Sequence, residues 1–265
     1  MTDFATLNDV IAAPRQNLKF TKTATRTTVA AAWFSLFDLA GDPGAGTLAA
    51  GNTANGLVPT DATTGYPPAN AFTGGATGRV LRAEFASSVA CRLAIFDRLF
   101  VAGAYAFNAN TALASQPSYS GRLPDTDYKD TEIWVEQVTA ATGNQAVNVT
   151  YTDQDGNAGA TTGAVGIGAA PTVGRCWQLP LAAGDSGLQL ISNVAGSVAS
   201  VGTFNVMVLR KLWAGRCRTA NDGDVHDLLR TMAMQVYDTS ALYLMVAADS
   251  TSSGIPEIEL TIGNK

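Results

Sequence analysis

The stretch that decides the fold is residues 146–165, AVNVTYTDQDGNAGATTGAV. Val147, Val149 and Tyr151 alternate with polar residues, so an extended chain here has one apolar face and one polar face. Asp155-Gly156 then supplies turn chemistry, and a second Thr/Gly-rich run returns, which predicts an antiparallel hairpin. The same pattern spreads outward in both directions. In EIWVEQV (132–138), Ile133, Val135 and Gln137 share one face, and Trp134, Glu136 and Val138 share the other. Strands are predicted over RVLRAEFASS (79–88), 173–181, 187–192, TFNVMVLRKLW (203–213) and a closing pair, ALYLMVAAD (241–249) and PEIELTIG (256–263). CRLAIFDRLFVAGAYAF (91–107) is a continuous apolar run, read as a buried strand pair or a short helix. Many short strands punctuated by turns predict a mainly β chain, an antiparallel β-sandwich or jelly roll with long Gly/Pro-rich loops.

Two helices interrupt this pattern. Residues 1–14 read as a short N-terminal helix, capped by Thr2 or Asp3 and stopped by Pro14. Phe4, Leu7, Val10 and Ile11 recur at helical spacing along it. So short an amphipathic helix is marginal in water and is expected to lie on its own body or on a neighbouring subunit. A second short helix is predicted over 222–234, capped by Asp222, with Val225, Leu228, Leu229 and Met232 on one face. The chain divides into an N-terminal helix and extended basic arm (1–28), an apolar segment with a long surface loop (29–78), and a β-sandwich body (79–265).

Composition supports this class. Of 265 residues, 46% are hydrophobic, so the chain can bury a sizeable core. Only 15% are charged, against about 25% on average, and 26 are glycine. The net charge of −5 and the 17 basic residues argue against a nucleic-acid binder. The best apolar run, Ala90 to Phe107, is broken by Arg92, Asp97 and Arg98, so no membrane span is expected. The acidic start MTDFATLNDV lacks the basic region of a signal peptide, so synthesis in a cytoplasm is expected.

Candidate chemistry is sparse. Gly184-Asp185-Ser186-Gly187 matches the motif around a serine-protease nucleophile, but His226 is the one histidine and follows the serine by 40 residues. A tight turn accounts for the motif equally. Asp153, Asp155 and Asn157 have the spacing of the first EF-hand ligands, yet 158–164 carries no acid, which favours a hairpin turn. Asp222, Asp224 and Asp227, like Asp125, Asp127 and Asp130, read as caps and loop charges. Cys91, Cys176 and Cys217 read as buried small side chains, with a Cys176–Cys217 or intersubunit disulfide as the alternative. No catalytic, cofactor-binding or metal-ligating residue is assigned, and no enzyme activity is expected.

Contact is the better reading. Arg15, Lys19, Lys22 and Arg26 concentrate basic charge on a Thr-rich extended segment, either as a solvated strand face or as an arm that docks on an acidic partner. Residues 41–78 form a Gly/Pro-rich segment of a length usually reserved for functional loops, with Tyr66 and Phe72 as its aromatic contact candidates.

Several stretches resemble a group of tailed-bacteriophage virion proteins, head decoration or cement proteins. They are AAAWFSLFDLAGDPGAG (30–46), LAIFDRLF (93–100), VTYTDQDGNAGATTG (149–163), LAAGDSGLQLI (181–191) and VYDTSALYLMVAADST (236–251). Where that group carries an arginine in its hairpin, this chain has Ala160. The resemblance implies a virion structural protein that binds and stabilises the capsid lattice, with the major capsid protein or other virion proteins as partners. It also implies a homo-oligomer, trimer favoured, located in the virion after synthesis in the host cytoplasm. A collar, tail or head-fibre component that binds a host receptor or glycan is the alternative, and a hydrolase using Ser186 a remote one.

Overall fold

A computed structural model describes the chain apart from residues 1–3, 5, 73–76, 170, 199 and 265. In chain order, α1 (Leu7–Ala12) is followed by β1 (Arg15–Lys22), β2 (Trp33–Ser35), β3 (Gly41–Asp42), β4 (Asn52–Leu57), β5 (Thr77–Ser87), β6 (Cys91–Ala106) and β7 (Asn110–Ala112). Then come β8 (Thr131–Thr139), β9 (Asn144–Asp153), β10 (Ala158–Thr161), β11 (Val165–Ala169), β12 (Cys176–Leu179) and β13 (Leu188–Gly196). The last are β14 (Thr203–Cys217), β15 (Asp222–His226), β16 (Gln235–Tyr237), β17 (Leu242–Ala248) and β18 (Pro256–Asn264). The protein is mainly β, built from antiparallel sheets as a β-sandwich.

Seven strands form the central sheet, in the order β12-β8-β14-β6-β17-β2 with β4 also on β6. Its side chains alternate between two buried faces, which is why β6 reads as an unbroken apolar run. One face carries two clusters. Leu93, Ile95 and Trp213 pack against Phe20, Phe85 and Leu260 of a six-stranded sheet, β15-β5-β18-β1-β3 with β16 on β5. Farther along, Phe100, Ile133 and Val206 pack against Val149, Tyr151 and Ile191 of a five-stranded sheet, β10-β9-β13-β7 with β11 on β9. On the other face, Phe96, Trp134, Met207 and Tyr243 are covered by Phe37, Leu48 and Tyr66, so part of the segment 29–78 serves as a lid on the core.

The predicted hairpin is present as β9 and β10, with Asp155-Gly156 in its turn. The closing strands also form, but β17 enters the seven-stranded sheet and β18 the six-stranded one. Residues 15–22 are not a detached arm. β1 lies inside its sheet, paired with β18 along its length and with β3 at its end.

The helix predicted over 222–234 does not form. Asp222–His226 is a strand on β5, and Met232 and Ala233 take positive φ angles of 52° and 46° in the turns beyond it. The physical reason is that Leu229 and Met232 stay 83% and 75% exposed. An apolar stripe with nothing to bury it against does not hold a helix, whereas the free edge of β5 supplies ladder hydrogen bonds. α1 is a shorter helix than the sequence predicts. Thr6 caps it, accepting from Asp9 N at 3.2 Å while Thr6 N donates to the Asp9 carboxylate at 2.9 Å. The predicted caps Thr2 and Asp3 lie outside the described residues.

Candidate contact surface and buried charge clusters

Of the six residues predicted to touch a partner, the fold leaves two on the surface. Arg15 and Lys19 project from β1, and Lys19 pairs with Glu259 at 3.1 Å. Lys22 faces inward. Its ammonium donates to the carbonyls of Leu39 at 3.1 Å and Pro43 at 2.8 Å, and burial pulls its pKa below the ordinary lysine value against the pull of Asp38 and Asp42. Arg26 is also internal. It donates to the carbonyls of Ser35 and Val173, both at 2.9 Å, and pairs with Asp38. Tyr66 and Phe72 are core residues, with the Tyr66 ring 4.8 Å from that of Phe37. The correction has one cause. A basic or aromatic side chain on an alternating strand or a covering loop points in or out according to register, and register belongs to the pairing.

The Ser186 motif is a turn. Gln154 Oε1 accepts from the backbone N–H of Ser186 at 3.0 Å and of Gly187 at 3.2 Å, and Asp185 accepts from the Tyr151 hydroxyl at 2.6 Å. Gly184 has φ +98°, and a Cβ on Gly187 would run into the Tyr128 carbonyl, so both glycines have geometric work in the turn. His226 has other partners. Trp213 Nε1 donates to its Nδ1 at 3.1 Å, and Asp224 lies 3.7 Å from its Nε2. Burial, then the charge of Arg230, lower the His226 pKa below 6.5, with Asp224 and Asp227 opposing.

The EF-hand-like spacing is spent inside the hairpin. The Asp153 carboxylate accepts from Asn157 Nδ2 at 2.8 Å, from Asn157 N at 2.8 Å and from Asp155 N at 2.9 Å, and these bonds hold its pKa below the usual carboxylate range. Asp127 pairs with Lys129 at 3.1 Å and Asp224 with Arg230 at 3.0 Å. Among the described residues, no three His, Cys, Asp or Glu side chains gather in a metal-holding group.

What sequence reading missed is buried charge. On the sandwich face of the central sheet, Asp97 accepts from Ser240 Oγ at 2.7 Å and Ala241 N at 3.1 Å, with Arg122 at 3.4 Å and Arg210 at 4.0 Å. Arg122 also donates to the carbonyls of Pro59, Arg98 and Thr239. On the opposite face, Arg98 pairs with Glu136 at 3.2 Å and stacks over the rings of Phe37 and Tyr243. Glu136 further accepts from Asn205 at 3.1 Å and from the Tyr243 hydroxyl. Burial would lower the Arg98 pKa, but the surrounding Tyr66 and Glu136 raise it on balance. The available signal was the pair Asp97-Arg98 inside an apolar run, since charges placed there need partners.

The exposed surface carries a different feature. Leu7 and Ile11 of α1 are 66% and 62% exposed, alongside the exposed Leu229 and Met232. Leu7, Val10 and Leu228 line one shallow groove with Arg15 and Leu81. Of the stripe that predicted an N-terminal helix, Phe4 and Val10 are half-buried while Leu7 and Ile11 remain exposed.

No family model matches the chain, and no curated protein matches it. Among solved structures it is similar to the VP2 subviral particle of infectious bursal disease virus, at 8% identity over 96% of this chain and 80% of that chain, with a TM-score of 0.21. It is also similar to the T13 particle of the same virus, at 8% identity over 94% and 77%, with a TM-score of 0.19. The Gx strain structure gives 7% identity over 95% and 80%, with a TM-score of 0.18. Alignments at these TM-scores do not establish a common fold.

Proposed function

We propose that this chain is a virion structural protein of a tailed bacteriophage, a decoration or cement protein that reinforces the capsid lattice by protein–protein contact and without catalysis. One observation carries the reading. The five stretches that resemble such proteins, scattered from residue 30 to residue 251, are neighbours in space. LAIFDRLF and VYDTSALYLMVAADST pair as β6 and β17, and Ser240 bonds to Asp97. AAAWFSLFDLAGDPGAG joins them through β2 on β17 and through Phe37, 5.8 Å from Tyr243. VTYTDQDGNAGATTG and LAAGDSGLQLI meet as β9 and β13, tied by Tyr151 and Asp185. Leu99 and Phe100 of the first group share a core with Val149, Tyr151, Leu188 and Ile191 of the second. Residues that resemble one protein group at separate sites, yet build one continuous framework here, support a shared architecture.

On this reading the framework is the rigid part and the contacts lie outside it. Leu7, Ile11, Leu229 and Met232, with Arg15 and Lys19 nearby in the chain or sheet, replace the buried Lys22, Arg26, Tyr66 and Phe72 as the contact residues. Many-copy association through modest patches gives high occupancy without chemistry, and a symmetric homo-oligomer, a trimer, is the expected unit. Light scattering followed by co-sedimentation with undecorated capsids tests the proposal. A trimer that pellets in stoichiometric amounts supports it. A monomer that stays in the supernatant refutes it, and a copy number near a dozen per virion would move the protein to a collar or tail.

A further inference from the structure

Cys91 opens β6 and Cys217 ends β14, the two longest strands among the described residues, and the two cysteines are directly opposite each other in the antiparallel ladder. Opposed residues in such a ladder have Cα atoms about 4.5 or 5.5 Å apart, inside the span of about 4.4–6.8 Å that a disulfide bridges. Both thiols are free and buried in the same core cluster, on the same face of the sheet. Cys176 belongs to the cluster on the opposite face. The three cysteines are buried free thiols, as the sequence predicts, and the alternative Cys176–Cys217 pairing would have to join two different core clusters.

We propose that Cys91 and Cys217 are a latent cross-strand disulfide, closed by a small-molecule disulfide oxidant, that staples the two longest strands at their shared end. The reaction is thiol–disulfide exchange. One cysteine, as thiolate, attacks a sulfur of oxidised glutathione, whose S–S bond breaks to release one glutathione thiolate. The second cysteine attacks the mixed disulfide and expels the other glutathione. Two protein thiols lose two electrons and two protons, and one glutathione disulfide becomes two thiols.

The surroundings set when this happens. The thiolate is the nucleophile. Burial, followed by the neighbouring Cys91, pushes the Cys217 thiol up to about 12, and burial raises Cys91 as well. Asp222 and Asp224 add to the effect at Cys217, and Asp249 at Cys91. In the closed fold the pair is nearly inert. The bond forms while the chain folds or when the strand ends open, and once formed it is shielded from reductant. It closes a loop of roughly 125 residues, a length at which a cross-link strongly restricts the unfolded chain.

The test refolds the full chain in glutathione buffer rich in the oxidised form, then quenches with N-ethylmaleimide under denaturing conditions. Intact mass and non-reducing peptide maps should show a loss of two hydrogens, a peptide linking 91 to 217, and one maleimide adduct, on Cys176. Cys176→Ala should keep the link and carry no adduct. The oxidised chain should melt about 5–10 °C above the reduced one. Three adducts on a chain with native circular dichroism would overturn the proposal. So would glutathione left unresolved on Cys91 or Cys217, a link through Cys176, or an unchanged melting point.

Discussion

Asp97→Ala is the most informative single change. The Asp97 carboxylate is fully buried and accepts two hydrogen bonds, from Ser240 Oγ and Ala241 N, while two guanidiniums flank it. Truncation removes the carboxylate that faces both Arg122 and Arg210. Arg122 keeps its carbonyl acceptors and Arg210 the Gln235 carbonyl at 2.7 Å, but the Ala241 N–H and the Ser240 hydroxyl, which donate to Asp97, lose their acceptor. Breaking a buried pair from one side costs about 3–5 kcal/mol, and an orphaned buried N–H about 1–3 kcal/mol. Because the two costs share atoms, the expected loss is about 4–6 kcal/mol, a large part of the stability of a typical domain. At a urea slope of about 3 kcal/mol/M, the midpoint falls by about 1.3–2 M. Urea unfolding followed by tryptophan fluorescence reads this directly. Asp97→Asn, which keeps an acceptor for Ala241 N, should fall between the parent and the alanine variant. A loss below about 1 kcal/mol for Asp97→Ala, the size expected of an exposed pair, would refute the argument that this carboxylate holds the buried charge cluster together.

Three further outcomes follow from the same structure. Lys22→Glu should prevent stable folding by placing a buried carboxylate against the carbonyls of Leu39 and Pro43, whereas Lys19→Glu should change stability by less than about 1 kcal/mol; expression and thermal melts of the two variants separate these cases. His226 has a folded pKa below its unfolded value of 6.5, so the stability it contributes is present above pH 6.5 and is lost as pH falls through the folded pKa. Urea midpoints at pH 7.5 and 5.5 should differ more for the parent than for His226→Gln, and equal differences would exclude His226 as the source. Leu229→Ser with Met232→Ser should leave the melting temperature within about 2 °C of the parent, since both side chains are exposed, and should weaken oligomerisation or capsid co-sedimentation if this surface makes the contacts.

How much was legible divides along the range of the interactions. Alternation in AVNVTYT and the Asp155-Gly156 turn determined β9, its partner β10 and the hairpin between them, because strand period and turn chemistry are encoded within a few residues. TFNVMVLRKLW likewise announced β14, and the overall β class followed from repetition of such signals. The same local logic failed at 222–234. There a helical spacing of apolar residues was real, but the edge of β5, distant in sequence, offered pairing that the stripe could not match. It failed again at Lys22 and Arg26, whose residue types favour the surface while β1 register and nearby carbonyls place them inside. Asp97 and Arg98 were visible as charges in an apolar run. Their partners Arg122, Ser240 and Glu136 come from three other segments, so only tertiary structure could bring them together. The sequence by itself determined the longer strands, the hairpin turn at Asp155-Gly156 and the fold class, all set by neighbours along the chain. Which face each strand turns inward, which cysteines meet and which charges are buried were decided by pairing across the chain, because burial depends on what lies opposite.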